Sequence, residues 1–189
     1  MSDETDARFG VLPVIEHDVD LDGEALTIRL PQPPGLQACD WVAHDQWLAL
    51  FPDALPEEQR AYWHERMADP ADPLTAGVLR VIAYKLAEQV YGMPWWAAHR
   101  LTVRAAASWW QFEAWCAGHG FNPHVPGTPA VRLVGACWAW LAGGLEEDKL
   151  SAFHREVFEP PKGDLGQEAR LERGRAMLAR FTRGQTGIM

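Results

Sequence analysis

Cysteine, lysine and asparagine are all scarce in this chain of 189 residues. The cysteines are Cys39, Cys116 and Cys137. Their number is odd and no CxxC pair occurs, so neither a disulfide framework nor a zinc ribbon is suggested. No apolar run reaches the about 18 residues of a membrane-spanning helix. No basic-then-apolar leader opens the chain. A soluble, cytoplasmic protein is expected. GxGxxG, the Walker loop, GxSxG and HExxH are also missing, so no nucleotide, hydrolase or metalloprotease fingerprint is present. Positive charge is thin as well. The net charge is −9, and residues 1–73 hold 16 acids against 4 bases. Residues 74–189 hold 10 acids and 13 bases. Nucleic-acid binding needs a concentrated basic surface, and none is expected here. The chain has 3 lysines against 14 arginines, and Asn122 is its single asparagine. That bias is typical of a GC-rich coding sequence and carries no chemistry.

Tryptophan is abundant. Five of the ten tryptophans, Trp95, Trp96, Trp109, Trp110 and Trp115, fall between Pro94 and Gly120. Proline at the start and glycine at the end are the expected punctuation of a helix. As one helix the segment would run roughly 36 Å, at about 1.5 Å per residue. Successive rotations of about 100° give a broad apolar arc through Ala98, Leu101, Ala105, Trp109, Phe112, Trp115 and Cys116. A second arc carries Trp96, Val103, Ala107, Trp110 and Ala114. Arg100, Arg104 and Gln111 form the polar strip. A helix apolar on most sides is either central or keeps a face for a partner. Trp109, Phe112 and Trp115 are assigned to the core. Trp96, Arg100, Val103 and Trp110 are the candidate partner-binding residues.

The remaining pattern predicts a mainly α protein: a multi-helix bundle with a small N-terminal β-hairpin. Residues 1–10 read as a flexible N-terminus, 11–161 as one helical domain, and 162–189 as a mobile or partly helical tail. Asp22-Gly23 between two extended-type runs predicts a hairpin with strands near 13–20 and 25–30, ended by Pro31. Helices are predicted over Gly35–Phe51, ended by Pro52; Leu55–Asp69; Pro73–Tyr91, closed by Gly92; a segment capped by Thr128 with Pro129 at its first helical position; and Leu145–Phe158.

Reactive groups are few. Asp18, Asp20, Asp22 and Gly23 match the start of a calcium loop, but Arg29 stands where the bidentate glutamate belongs, and the flanks read as strands. An acidic hairpin edge is the simpler reading. Cys116, His119 and His124 could be metal ligands with His99 or Cys137 as a fourth. A buried thiol and helix-end histidines account for the same residues, so no metal or cofactor is assigned. Cys116 on an apolar arc is a poor nucleophile. Glu57, Glu58 and Glu65 read as a solvated helix face. Arg100 and Arg104 could grip an acid or phosphate, but are expected on carboxylates of the acidic first half or in water.

The stretches LDGEALTIRLPQPP, YGMPWWAAHRL, WWQFEAWCAGHGFNP, AWLAGG and FHREVFEPP, spread over Leu12 to Pro161, resemble the tail assembly chaperones of long-tailed bacteriophages, especially those of actinobacteria. The motifs are aromatic and proline positions with no reactive group among them. The resemblance implies a non-enzymatic protein of the host cytoplasm. It would bind the tape-measure and tail-tube proteins during assembly and be absent from the finished virion. It also implies a longer form made by ribosomal frameshift, joined near Gly163. Two other classes stay open: a virion component such as a head–tail adaptor or tail-completion protein, and a helical small-ligand-binding protein.

Overall fold

A computed structural model of the chain describes residues 14–21, 24–69, 72 and 76–162. The expected N-terminal segment, the Asp22-Gly23 turn and most of the expected tail lie outside the described residues. Strand β1 is Val14–Leu21 and strand β2 is Glu24–Pro31; they pair antiparallel from Val14↔Pro31 to Leu21↔Glu24. Their alternation is one-sided, as for a strand pair with one wet face. Ile28 and Leu30 are buried, with Ile15, Val19 and Leu26 packed beside them. Glu16, Asp18 and Asp20 point to solvent. Across the pair Arg29 Nε bonds Glu16 at 3.2 Å and Thr27 Oγ1 donates to Asp18 at 2.7 Å. On its outer edge β2 meets the Gln59 side chain of the helix over residues 57–68. Gln59 accepts from the Arg29 N–H and donates to the Thr27 carbonyl, both at 3.0 Å, and so blunts an edge that would otherwise recruit another strand.

Eight helices follow among the described residues. They are α1 (Gly35–Ala43), α2 (Trp47–Ala54), α3 (Glu57–Ala68), α4 (Ala76–Tyr91), α5 (Trp95–Ala107), α6 (Trp109–Gly118), α7 (Ala130–Ala142) and α8 (Glu147–Phe158). The mainly α class with a small N-terminal hairpin is therefore as expected. Helix α5 is the hub and packs against α1, α4, α6, α7 and α8. Its inner face, Ala97, Ala98, Leu101 and Ala105, is fully buried. Three of these four are alanines, which let neighbouring backbones come close. Trp47 Nε1 donates to the Tyr91 hydroxyl at 2.7 Å, and that hydroxyl donates to the Ala38 carbonyl, so α1, α2 and α4 share one buried polar chain.

Three expectations need correction. The helix predicted over Gly35–Phe51 is two helices. Asp45, at φ 53°, takes the left-handed conformation after α1. Asp45 N–H then bonds Val42 O at 3.2 Å and Gln46 N–H bonds Trp41 O at 2.8 Å. These paired bonds satisfy the last carbonyls of α1. Pro52 does not end the second piece but sits within α2, which stops at Ala54. In so short a helix a proline forfeits one internal bond. The long helix over Pro94–Gly120 is likewise broken, at Ser108 (φ −138°, ψ 44°), into α5 and α6. The bend turns α6 onto α7, where Phe112 meets Trp140 with ring centroids 5.5 Å apart. Last, Thr128 does not cap α7. Its hydroxyl donates back to Val125 O at 2.8 Å, Pro129 holds the cap position, and the Thr128 carbonyl accepts the Gly35 N–H at 2.9 Å.

Candidate interaction surface

The break at Ser108 splits the heptad-spaced strip between two helices, and its members have different surroundings. Trp96 is 5% exposed, beneath the end of α8. Its indole N–H donates to Phe158 O at 3.3 Å. Arg100, one turn on, donates from Nη1 to Glu156 O at 2.6 Å, Val157 O at 3.0 Å and Glu159 O at 2.7 Å. A helix leaves its last carbonyls without internal partners, and its C-terminus favours positive charge. Trp96 and Arg100 together serve that end of α8. Arg104 bonds the Glu156 carboxylate and lies over the Phe153 ring, 5.3 Å from its centroid. The arginine strip therefore docks α8, in the second half of the chain, and not the acidic first half.

Val103 and Trp110 are different. Val103 on α5 is 40% exposed, and Trp110 on α6 is 71% exposed. Trp109 and Trp115, by contrast, pack against the core, and Phe112 and Cys116 are fully buried. Trp109 Nε1 donates to Glu113 at 2.7 Å, and Glu113 also meets His124 Nε2 at 2.5 Å. These contacts, His124 first, hold the Glu113 carboxyl below its ordinary range.

A second apolar surface lies between α7 and α8. The Gly143-Gly144 junction lets the two helices diverge, and long aromatic side chains bridge them. Trp138 stacks on Phe153 at 5.2 Å and meets Phe158 edge-on at 5.6 Å. Beside this cluster runs a shallow groove of about 560 Å³, lined by Trp138, Ala139, Ala142, Gly143, Leu150, Ser151 and His154. The helix predicted over Leu145–Phe158 supplies Leu150, Ser151 and His154 to this groove, which helical periodicity alone does not reveal. Its signal was the pair Ala139 and Ala142 ahead of the double glycine.

The chemical candidates come apart. His119 stacks on Trp115 and its Nδ1 lies 2.8 Å from Trp115 O. His124 is held by Glu113, and His99 meets Trp95 edge-on. Among the described residues no three His, Cys, Asp or Glu side chains are grouped to hold a metal. Asp18 and Asp20 are strand residues, whereas Asp22 and Gly23 lie outside the described residues. All three cysteines are buried free thiols. Burial pushes them up, Cys137 to about 12, which disfavours the reactive thiolate. Glu57, Glu58 and Glu65 are exposed, with the first two in the first turn of α3, where the helix dipole favours acids. No helix among the described residues is long and apolar enough to cross a membrane.

Comparison with protein-family models, with curated proteins and with solved structures gives no match.

Proposed function

We propose that the chain is a non-catalytic tail assembly chaperone of a long-tailed bacteriophage. It would hold an amphipathic helix of the tape-measure protein, and tail-tube subunits, in the host cytoplasm before they assemble. The observation that carries this reading is Trp110, whose indole is 71% exposed on the outer side of α6. Large rings are normally withdrawn from water, and tryptophan is the residue most enriched at the energetic centres of protein interfaces. Val103, also exposed, adds an aliphatic contact on α5. An apolar stripe on a partner helix is the kind of ligand such side chains grip. The overall acidity of the chain would keep the complex soluble.

The test is co-expression with a tape-measure protein, which this reading expects in a neighbouring reading frame. Trp110→Ala should lower co-purification at least about tenfold, the cost expected of a central interface tryptophan, and leave the melting temperature near wild type. Trp96→Ala should instead lower stability by about 3–5 kcal/mol, as for other buried aromatic truncations. Undiminished capture by Trp110→Ala would remove the surface assignment. Retention of the protein in purified particles, detected by mass spectrometry, would replace the chaperone reading with a virion component.

A further inference from the structure

The groove between α7 and α8 has an apolar floor and a carboxylate rim. Trp138, Ala142 and Leu150 line it, and Leu150 is 36% exposed. Glu147 and Asp148 stand in the first turn of α8, one turn before Leu150 and Ser151, so they share that side of the helix. Both are exposed. An occupant suited to this site needs apolar side chains at helical spacing, flanked by positive charge.

The chain supplies such a segment next to the groove. The described residues end at Lys162, four residues after α8, which is itself a groove wall. Residues 163–189 follow. They carry Arg170, Arg173, Arg175, Arg180 and Arg183 against Asp164, Glu168 and Glu172. Leu171, Leu178 and Phe181 are spaced seven and three apart, which is one side of a helical repeat. The nine residues from Lys162 to Leu171 can span up to about 30 Å. The groove begins at His154, only about 6 Å back along α8 from its last residue at about 1.5 Å per residue. Length, position and charge therefore all match.

We propose that residues 163–189 are the occupant of the α7–α8 groove, with Leu171, Leu178 and Phe181 against Trp138 and Leu150, and the arginines beside Glu147 and Asp148. This assignment is separate from the chaperone reading, which rests on Trp110. Linking the tail to its own chain keeps its effective concentration high, so modest contacts suffice.

Cysteine cross-linking in the full-length chain tests it. Leu150→Cys is combined in turn with Leu171→Cys, Leu178→Cys and Phe181→Cys and oxidised; the three native thiols are buried. At least one pair should give a fast-migrating, reducible monomer on a non-reducing gel. The exposed control Val131→Cys, on α7, should give none with the same partners. A cross-linked dimer would mean that a second copy fills the groove, and would overturn the proposal. So would equal cross-linking from Val131→Cys. Absence of any cross-link, in variants whose introduced cysteines all react with a maleimide, would overturn it too.

Discussion

At the scale of the residue, the Arg100 guanidinium sits where the Glu156 and Val157 carbonyls run out of helical partners. Arg100→Met keeps most of the aliphatic stem and removes the donors. It should cost about 1–3 kcal/mol, the range for hydrogen bonds to a charged group, read as a lower urea midpoint. An unchanged midpoint would mean that water replaces the guanidinium at no cost. His17 offers a pH-dependent counterpart. It is partly buried under the hairpin, and its Nδ1 accepts from Gln89 Nε2 at 3.0 Å. Burial first, and then the Lys85 charge, lower its pKa below 6.5, with Asp18 opposing. The unfolded chain therefore binds a proton at a pH where the folded chain does not. The ring's contribution to stability is complete above 6.5 and declines as pH falls through the lowered folded value. His17→Leu should narrow the gap between urea midpoints measured at about pH 7.5 and about pH 5.5. An equal gap in both proteins would show that His17 contributes nothing to it.

At the scale of the element, two helices end alike with different residues. After α6, Gly120 has φ 68°, Phe121 N–H bonds Cys116 O at 2.9 Å, and Gly120 N–H bonds Ala117 O at 3.2 Å. After α1, Asp45 does the same work at φ 53°. Glycine adopts this region without steric cost, while other residues meet crowding at Cβ. Asp45→Gly should therefore raise stability by about 0.5 kcal/mol, and Asp45→Val should lower it by at least about 1 kcal/mol. A urea-melt series with the order Gly, Asp, Val checks this; any other order removes the backbone explanation. The same pair explains what was legible in advance. Gly120 and Gly92 announce their helix ends because glycine is the usual left-handed cap. Asp45 gives no such announcement, so α1 and α2 read as one helix. Ser108 breaks α5 from α6 with neither proline nor glycine, and the apolar arc of Leu101, Ala105, Phe112 and Cys116 runs across the break unchanged. Periodicity found the buried face of that segment and was blind to its bend. It was equally blind to what lay over each arc. Trp96 and Trp110 share one arc in the sequence, yet one lies beneath α8 and the other faces water.

At the scale of the whole molecule, the hairpin and α1 must be joined to helices far along the chain, and one backbone contact does this at close range. Pro34 pairs with Pro129 as an isolated bridge, and the Gly35 N–H bonds the Thr128 carbonyl at 2.9 Å. A Cβ at Gly35 would lie 2.5 Å from that oxygen and 3.3 Å from the Pro129 carbonyl carbon. Both neighbours are backbone, so no side chain can swing aside. The contact lies at the start of α1 and just before α7, and these two helices pack together against α5. Separating the loop from Gly35 would thus disturb the α1–α7 interface and the Cys39 and Cys137 side chains buried there. Gly35→Ala is expected to cost about 1–3 kcal/mol, as overpacking does elsewhere, despite the higher helix propensity of alanine. That propensity alone would have made the substitution favourable by up to about 1 kcal/mol, so the sign of the change discriminates. Thermal melts, together with the reactivity of Cys39 and Cys137 toward a thiol reagent, read both halves. A lower melting temperature with faster thiol labelling places the loss at this junction. A higher melting temperature would show that the two backbones can part without cost, and that α1 and α7 are held by their side chains alone.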